Sequence, residues 1–218
     1  MKRLAQLILI VTVAAAATDT AFAQQQRPMA VQGVVGATFG NKTSATFGGE
    51  FDYKVGTEWE VFVELGQMRN VAPSQMDGDA NAVAGAIGGS AKAAERATFY
   101  AGGVKYLFPP TGGGIEPYIG VGFGAASVKK DVTFSVDGAE LSEADLLAQY
   151  GVQLGADLAG STTKPLFLVA FGVTRPFAGR LFLDASYRYG LIFAKSGSIE
   201  DDKGLHTQRL QLGVGVRF

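Results

Sequence analysis

The feature that most constrains this chain is an alternation of apolar and polar side chains with a period of two, sustained over long segments. In "TEWEVFVELGQM" (57–68), Trp59, Val61, Val63 and Leu65 share one face, and Glu60, Phe62, Glu64 and Gly66 share the other. In the segment 180–193, Leu181, Leu183, Ala185, Tyr187, Tyr189, Leu191 and Phe193 oppose Asp184, Ser186, Arg188 and Gly190. Such a pattern defines a strand, because successive side chains point to opposite faces of a sheet. Eight segments qualify, near 31–40, 43–54, 57–68, 97–108, 115–128, 165–175, 180–193 and 207–218. Each reaches about ten residues, whereas soluble strands usually run to roughly 5–6 and a tilted membrane-spanning strand needs about 9–11.

The connections alternate in length. "VGTE" (55–58), "PPTGGG" (109–114) and "PFAGR" (176–180) are tight turns. At the opposite end, 40–43 is short, while 69–96, 129–164 and 194–206 are longer. An even number of antiparallel strands with short turns at one end and longer loops at the other predicts an all-β fold. The expected form is a closed eight-stranded antiparallel transmembrane β-barrel in up-and-down meander order. Closure leaves no unpaired strand edge in lipid.

A soluble barrel would place the apolar face inside, and a membrane barrel inverts it. Bulky aromatics near the strand ends (Tyr53, Trp59, Tyr106, Phe108, Phe193) suit interfacial girdles. The polar face is rich in glycine, including Gly120, Gly122 and Gly124, which suits the narrow interior of eight strands. The inverted arrangement is therefore expected. The lumen then holds Glu50, Asp52, Glu60, Glu64, Lys105, Asp184, Arg188 and Arg209, with Arg217 a candidate addition. Charges confined in this way must be paired or hydrated, so Glu50 and Glu64 are expected near Lys105, Arg188 or Arg209. Such a network can fill the lumen and fix register, or act as a gate for a small ion current.

The N-terminus "MKRLAQLILIVTVAAAATDTAFAQQQ" has Lys2 and Arg3, an apolar run from Leu4 to Ala17, and Ala21-Phe22-Ala23. This is the pattern of a secretory signal peptide over 1–23, with the barrel domain over 24–218. The run falls short of the roughly 20 residues a spanning helix needs. Export is expected. The 218 residues contain no cysteine and one histidine, His206, which excludes disulfides and thiolate metal sites. A net charge of −1 gives no basic field for nucleic acid. No cofactor or metal is expected.

"PYIGVGFGAA", "LFLDASYRYG" and "LQLGVGVRF" resemble strands of the small eight-stranded outer-membrane barrels, similar to the membrane domain of outer membrane protein A and the opacity-type porin-like surface proteins. The resemblance spans essentially all of 30–218 and implies location in the bacterial outer membrane. In that family the last strand resembles the signal read by the barrel-assembly machinery. The matching residues here are Leu210, Leu212, Val214, Val216 and Phe218. It further implies periplasmic chaperones, outer-membrane lipids and lipopolysaccharide as partners, and a monomer. No periplasmic peptidoglycan-binding domain is expected after Phe218, so no cell-wall tether is inferred. The fold hosts several activities, so none follows from it alone. The expected role is structural, supporting membrane integrity with loops available for surface contacts. The alternative is a narrow porin-like channel.

The remaining motifs carry little chemistry. "GVGFG" (120–124) lies within a strand, without the strand–turn–helix setting of a dinucleotide fingerprint. "DGDANA" (77–82) and "EDDKG" (200–204) hold carboxylates but complete no calcium-loop pattern. "LSEADLLAQYG" (141–151) is the one expected helix. Ser142 caps it, Asp145 sits three residues on, Gly151 ends it, and Leu146, Leu147 and Tyr150 form its apolar face. An acyl-transferring or hydrolysing barrel would need a nucleophile beside a base. His206 is the only candidate base, and no strand sets a serine and a carboxylate beside it. An enzyme is not expected.

Overall fold

The computed structural model describes residues 27–155, 158–193 and 204–218. The expected signal peptide, the EDD of 200–202 and most of the loop 194–206 lie outside them. The elements are β1 (Met29–Phe39), β2 (Ser44–Val55), β3 (Trp59–Met68), α1 (Ser74–Ala86), β4 (Ser90–Leu107) and β5 (Glu116–Val136). They continue with β6 (Ala139–Leu141), α2 (Glu143–Tyr150), β7 (Gly160–Ala178), β8 (Leu181–Ile192) and β9 (Leu205–Arg217).

Eight long strands close into an antiparallel barrel. Each pairs with its neighbour in the chain, apart from the short β6, which hangs on β5 alone. Closure is made by β1 and β9, from Ala30 opposite Arg217 to Phe39 opposite Gln208. The alternation read from the sequence becomes an outward apolar surface and an inward polar one. Val61, Val63, Leu65, Tyr100, Val121 and Leu212 point outward, while Glu50, Glu64, Lys105, Arg188 and Arg209 are buried inside. The outward aromatics Trp59, Tyr106 and Phe108 stack edge to face near the turn end, with centroids 5.2 and 5.1 Å apart.

The long-loop end departs from the sequence expectation. β4, β5 and β7 continue past the barrel as a raised sheet, so the loops expected at 69–96 and 129–164 are largely ordered structure. β5 turns back into β6 at Asp137-Gly138, where both residues have positive φ (50° and 81°). That turn favours glycine at its second position and matches the twist of a hairpin.

Residues 77–82 lie not in a loop but within α1, a second helix that the sequence reading did not expect. It buries Met76, Ala80 and Ala84, spaced four apart, against inward-facing Ala93 and Leu158 and against Phe134. α1 thus sits over the mouth of the barrel. α2 forms where expected. Ser142 Oγ accepts from Asp145 N at 3.2 Å, the Asp145 carboxylate accepts from Ser142 N at 3.1 Å, and Gly151 ends the helix in a left-handed conformation. The Ser142 hydroxyl donates to the same carboxylate at 2.6 Å, and this bond, with that from Ser142 N, holds the Asp145 carboxyl below its ordinary range. The expected apolar face is corrected, since Leu146 alone is buried and Leu147 and Tyr150 are exposed.

Candidate functional site

The barrel interior concentrates the polar chemistry of the chain. Register sets Glu50 on β2 directly opposite Glu64 on β3, and Arg188 on β8 directly opposite Arg209 on β9. Either like-charged pair alone would be repulsive. Across the narrow lumen the two pairs neutralise each other. Arg188 Nη1 lies 2.6 Å from Glu50 and 2.9 Å from Glu64, and Arg209 grips both oxygens of Glu64 at 2.8 and 3.2 Å. The side chains of Glu50, Glu64 and Arg188 are wholly buried.

One layer nearer the turn end, Lys105 Nζ reaches Glu50 at 2.7 Å, Asp52 at 2.6 Å and Glu60 at 3.4 Å. Gln32 Nε2 donates to Glu50 Oε1 at 2.6 Å. Asp184 shares the lumen but forms no ion pair within 4 Å among the described residues. It accepts hydrogen bonds from the Tyr118 hydroxyl at 2.9 Å and from Thr174 Oγ1 at 3.3 Å. At the turn-end mouth Arg217 pairs with Glu116 through both terminal guanidinium nitrogens. A cavity of about 20 Å³ lies there, bordered by Gln32, Asp52, Glu60, Lys105 and Arg217. That volume is close to what one water requires.

Aromatic rings fill the space between charges. Lys105 lies over Phe62 (5.4 Å) and Tyr118 (4.9 Å), Arg209 over Phe99 (4.3 Å) and Arg217 over Phe182 (5.1 Å). Each ring rests on glycine: Phe62 on Gly103 and Gly122, Phe99 on Gly66, Tyr118 on Gly172 and Phe182 on Gly215. These five glycines are therefore seats for rings, a pairing that stabilises glycine within sheets, whereas Gly120 makes room for the Lys105 stem and Gly124 for the neighbouring backbone.

The sequence reading missed what lies beyond the charges. Toward the long-loop end the inward positions become apolar. Met68, Val71, Phe99, Val128, Leu166, Leu168 and Ile192 form one buried cluster with Ala97 and Ala126. Their parity was readable, yet inward and outward leucines look alike until register assigns them.

His206 lies on the outward face of β9 at the rim, with its ring nitrogen hydrogen-bonded to the Tyr189 hydroxyl. No serine hydroxyl or carboxylate is hydrogen-bonded to it among the described residues. No group of three or more potential metal ligands occurs among the described residues either.

A closed, lumen-filled barrel with an apolar outer belt matches a family model. The match, described as the outer membrane protein beta-barrel domain, covers residues 5–218. The chain belongs to this family. Among solved structures it is similar to Neisserial surface protein A, at 16% identity and a TM-score of 0.49, covering 87% of this chain and 96% of that one. It is also similar to the N-terminal β-barrel domain of OprF from Pseudomonas aeruginosa (15%, TM-score 0.49, covering 88% and 98%). A third is Ail, the attachment invasion locus protein of Yersinia pestis (17%, TM-score 0.44, covering 88% and 97%). No curated protein matches. The family places this barrel in the bacterial outer membrane. Barrels of that membrane set their short turns toward the periplasm and their longer loops outside.

Proposed function

We propose that this outer-membrane barrel is a closed structural element that supports the envelope and carries an extracellular platform. The observation that supports this most directly is the doubly blocked lumen. An ion entering from the periplasm would have to part Arg188 from Glu50 and Glu64, then cross the apolar cluster around Phe99 and Leu168. Breaking one buried pair costs about 3–5 kcal/mol, and a dry apolar layer adds a further barrier. The platform, formed by α1, α2 and the raised ends of β4, β5 and β7, is the surface available to partners. The role is read as non-enzymatic, because the only histidine is paired with a tyrosine and not with a nucleophile.

Planar-bilayer recordings on refolded protein test this reading. Wild type is expected to show no stable current, and Glu64→Ala to remain equally silent because the apolar cluster still seals the lumen. Heat-modified gel mobility verifies that both are folded. A stable current of nanosiemens from wild type would overturn the closed-barrel reading. Current from Glu64→Ala alone would make the charge network a gate.

A further inference from the structure

The outward face of β3, β4 and β5 is layered in a way that the lumen and the platform do not explain. Deepest in the membrane, Leu65 faces Tyr100 and Tyr100 faces Ala125. Phe123 lies nearby, and Leu65, Tyr100 and Phe123 are 58–60% exposed, among the most open apolar side chains on the barrel. Two residues outward runs an unbroken row of hydrogen-bonding groups. Gln67 faces Thr98, Thr98 faces Ser127, and Ser127 faces Thr163. Gln67 Nε2 donates to Thr98 Oγ1 at 3.1 Å.

Two residues further outward come the cations. Arg96 on β4 faces Lys129 on β5. Arg69 continues β3 by one residue beyond the pair of Met68 with Ala97, which sets it beside Arg96. All three are exposed, and none has an ion-pair partner within 4 Å among the described residues. Among the described residues, Asp131 is an acid on this same face of β5. It lies two residues along β5, opposite Ala94, and it bridges to neither neighbour. Adjacent like charges in a sheet repel, so this row is unfavourable unless an anion joins it.

The row is also confined to one sector. In the extracellular half of the outward face, β7, β8, β9, β1 and β2 carry no lysine or arginine among the described residues. They present Phe167, Tyr187, Tyr189, His206, Gln208, Phe39 and Phe47 instead. A general attraction to an anionic surface would not need such asymmetry.

We infer that Arg69, Arg96 and Lys129 form a docking site for one phosphorylated glycolipid of the outer leaflet. The phosphates of its lipid A lie on the cationic row, its sugar hydroxyls on Gln67, Thr98, Ser127 and Thr163, and its acyl chains along Leu65, Tyr100 and Phe123. The order of layers matches the order of chemical groups in that lipid, and charge complementarity selects it. This inference rests on the outer-membrane location and not on the closed lumen, so a conductance result leaves it untouched.

The test uses the purified, folded full barrel in detergent, titrated with bis-phosphorylated lipid A, dephosphorylated lipid A or phosphatidylglycerol and read by native mass spectrometry. Wild type should favour bis-phosphorylated lipid A over both others by roughly ten- to hundred-fold. The triple variant Arg69→Gln, Arg96→Gln, Lys129→Gln should lose that preference while keeping its heat-modified gel mobility. Arg175→Gln, near the periplasmic end, should keep it. Equal binding of the two lipid A forms by wild type, equal binding of phosphatidylglycerol, or an unchanged preference in the triple variant would each overturn the site.

Discussion

Arg188 lies between two carboxylates that sheet register forces together, and Glu64 lies likewise between two guanidinium groups. Removing Arg209 leaves Glu64 with Arg188 alone, which must also serve Glu50. Arg209→Ala is therefore expected to cost about 3–5 kcal/mol of stability, measured by denaturant unfolding in detergent. Replacing Glu64 and Arg209 together, by Gln and Met, should cost clearly less than the sum of the two single changes, since neither partner is then left buried and unpaired. Gly103 makes a steric prediction. A Cβ there would lie 2.6 Å from Gly122 Cα on β5 and 2.8 Å from the Phe62 ring. Backbone cannot give way as a side-chain tip can, so Gly103→Ala should cost about 1–3 kcal/mol in the same assay. Glu95 behaves differently, since it lies outside the membrane layer. Burial lifts its carboxyl above the ordinary range, against the pull of Lys130 and Lys164. Such a group is tolerated while protonated, and its cost appears as pH rises through the folded value. Glu95→Gln should therefore protect the platform from proteolysis at pH values well above the ordinary carboxylate range and make no difference below that range.

The platform is held to the barrel by a few polar anchors. Lys42, in the turn between β1 and β2, reaches Asp77 of α1 at 2.6 Å and the Ala93 carbonyl at 3.0 Å. The Asn70 side chain accepts from Ala72 N and Glu95 N, both at 3.1 Å, fixing the chain as it leaves β3. α2 adds only Leu146 to this core, packed near Ala84 and Phe134. Deleting 139–151 should accordingly leave the barrel folded, as judged by far-ultraviolet circular dichroism and heat-modified mobility. Loss of the barrel would show that the platform is integral to folding. What the sequence made legible does not end at this boundary. Where lipid lies outside and charge inside, the two faces have opposite polarities and period two marks them, as on β2, β3 and β8, whereas "LFLVAFGV" (166–173) of β7 is apolar on both faces and shows no contrast. Above the bilayer the alternation persists in "DVTFSV" (131–136), where Val132, Phe134 and Val136 alternate with Asp131, Thr133 and Ser135, and Asp137-Gly138 marks the hairpin turn. This extension of β5 was legible, but what covers its apolar face, α1 with Phe134 wholly buried beneath it, was not. α1 was hidden for another reason. Its buried face is Met76 with two alanines, and Pro73 stands at its N-cap with no capping side chain. The charged members of the lumen could be named from sequence, but not which acid meets which base, because that depends on residues brought together across the ring.

At the scale of the whole barrel, closure depends on β9, which pairs with β1 on one side and β8 on the other. Phe218 continues the pairing with β1, its N–H donating to the Met29 carbonyl at 2.9 Å and its carbonyl accepting from Met29 N at 3.3 Å. These bonds are backbone bonds and survive any side-chain change. The Phe218 ring is nearly half exposed, on the same outward surface as Leu210, Leu212 and Val214, with Val216 more covered. Its contribution to the finished fold is therefore small, and Phe218→Ala should shift the unfolding free energy of refolded protein by about 1 kcal/mol or less. Recognition during assembly poses a different demand. An unfolded strand whose outward residues form an apolar stripe ending in an aromatic offers a surface to an assembly partner before the sheet closes. Phe218→Ala is thus expected to lower the amount of folded barrel in the outer membrane of cells several-fold while leaving refolding of the purified chain nearly unchanged. The comparison separates the two roles. Equal losses in cells and in detergent would make Phe218 a stability residue, and no loss in either would leave it with neither role.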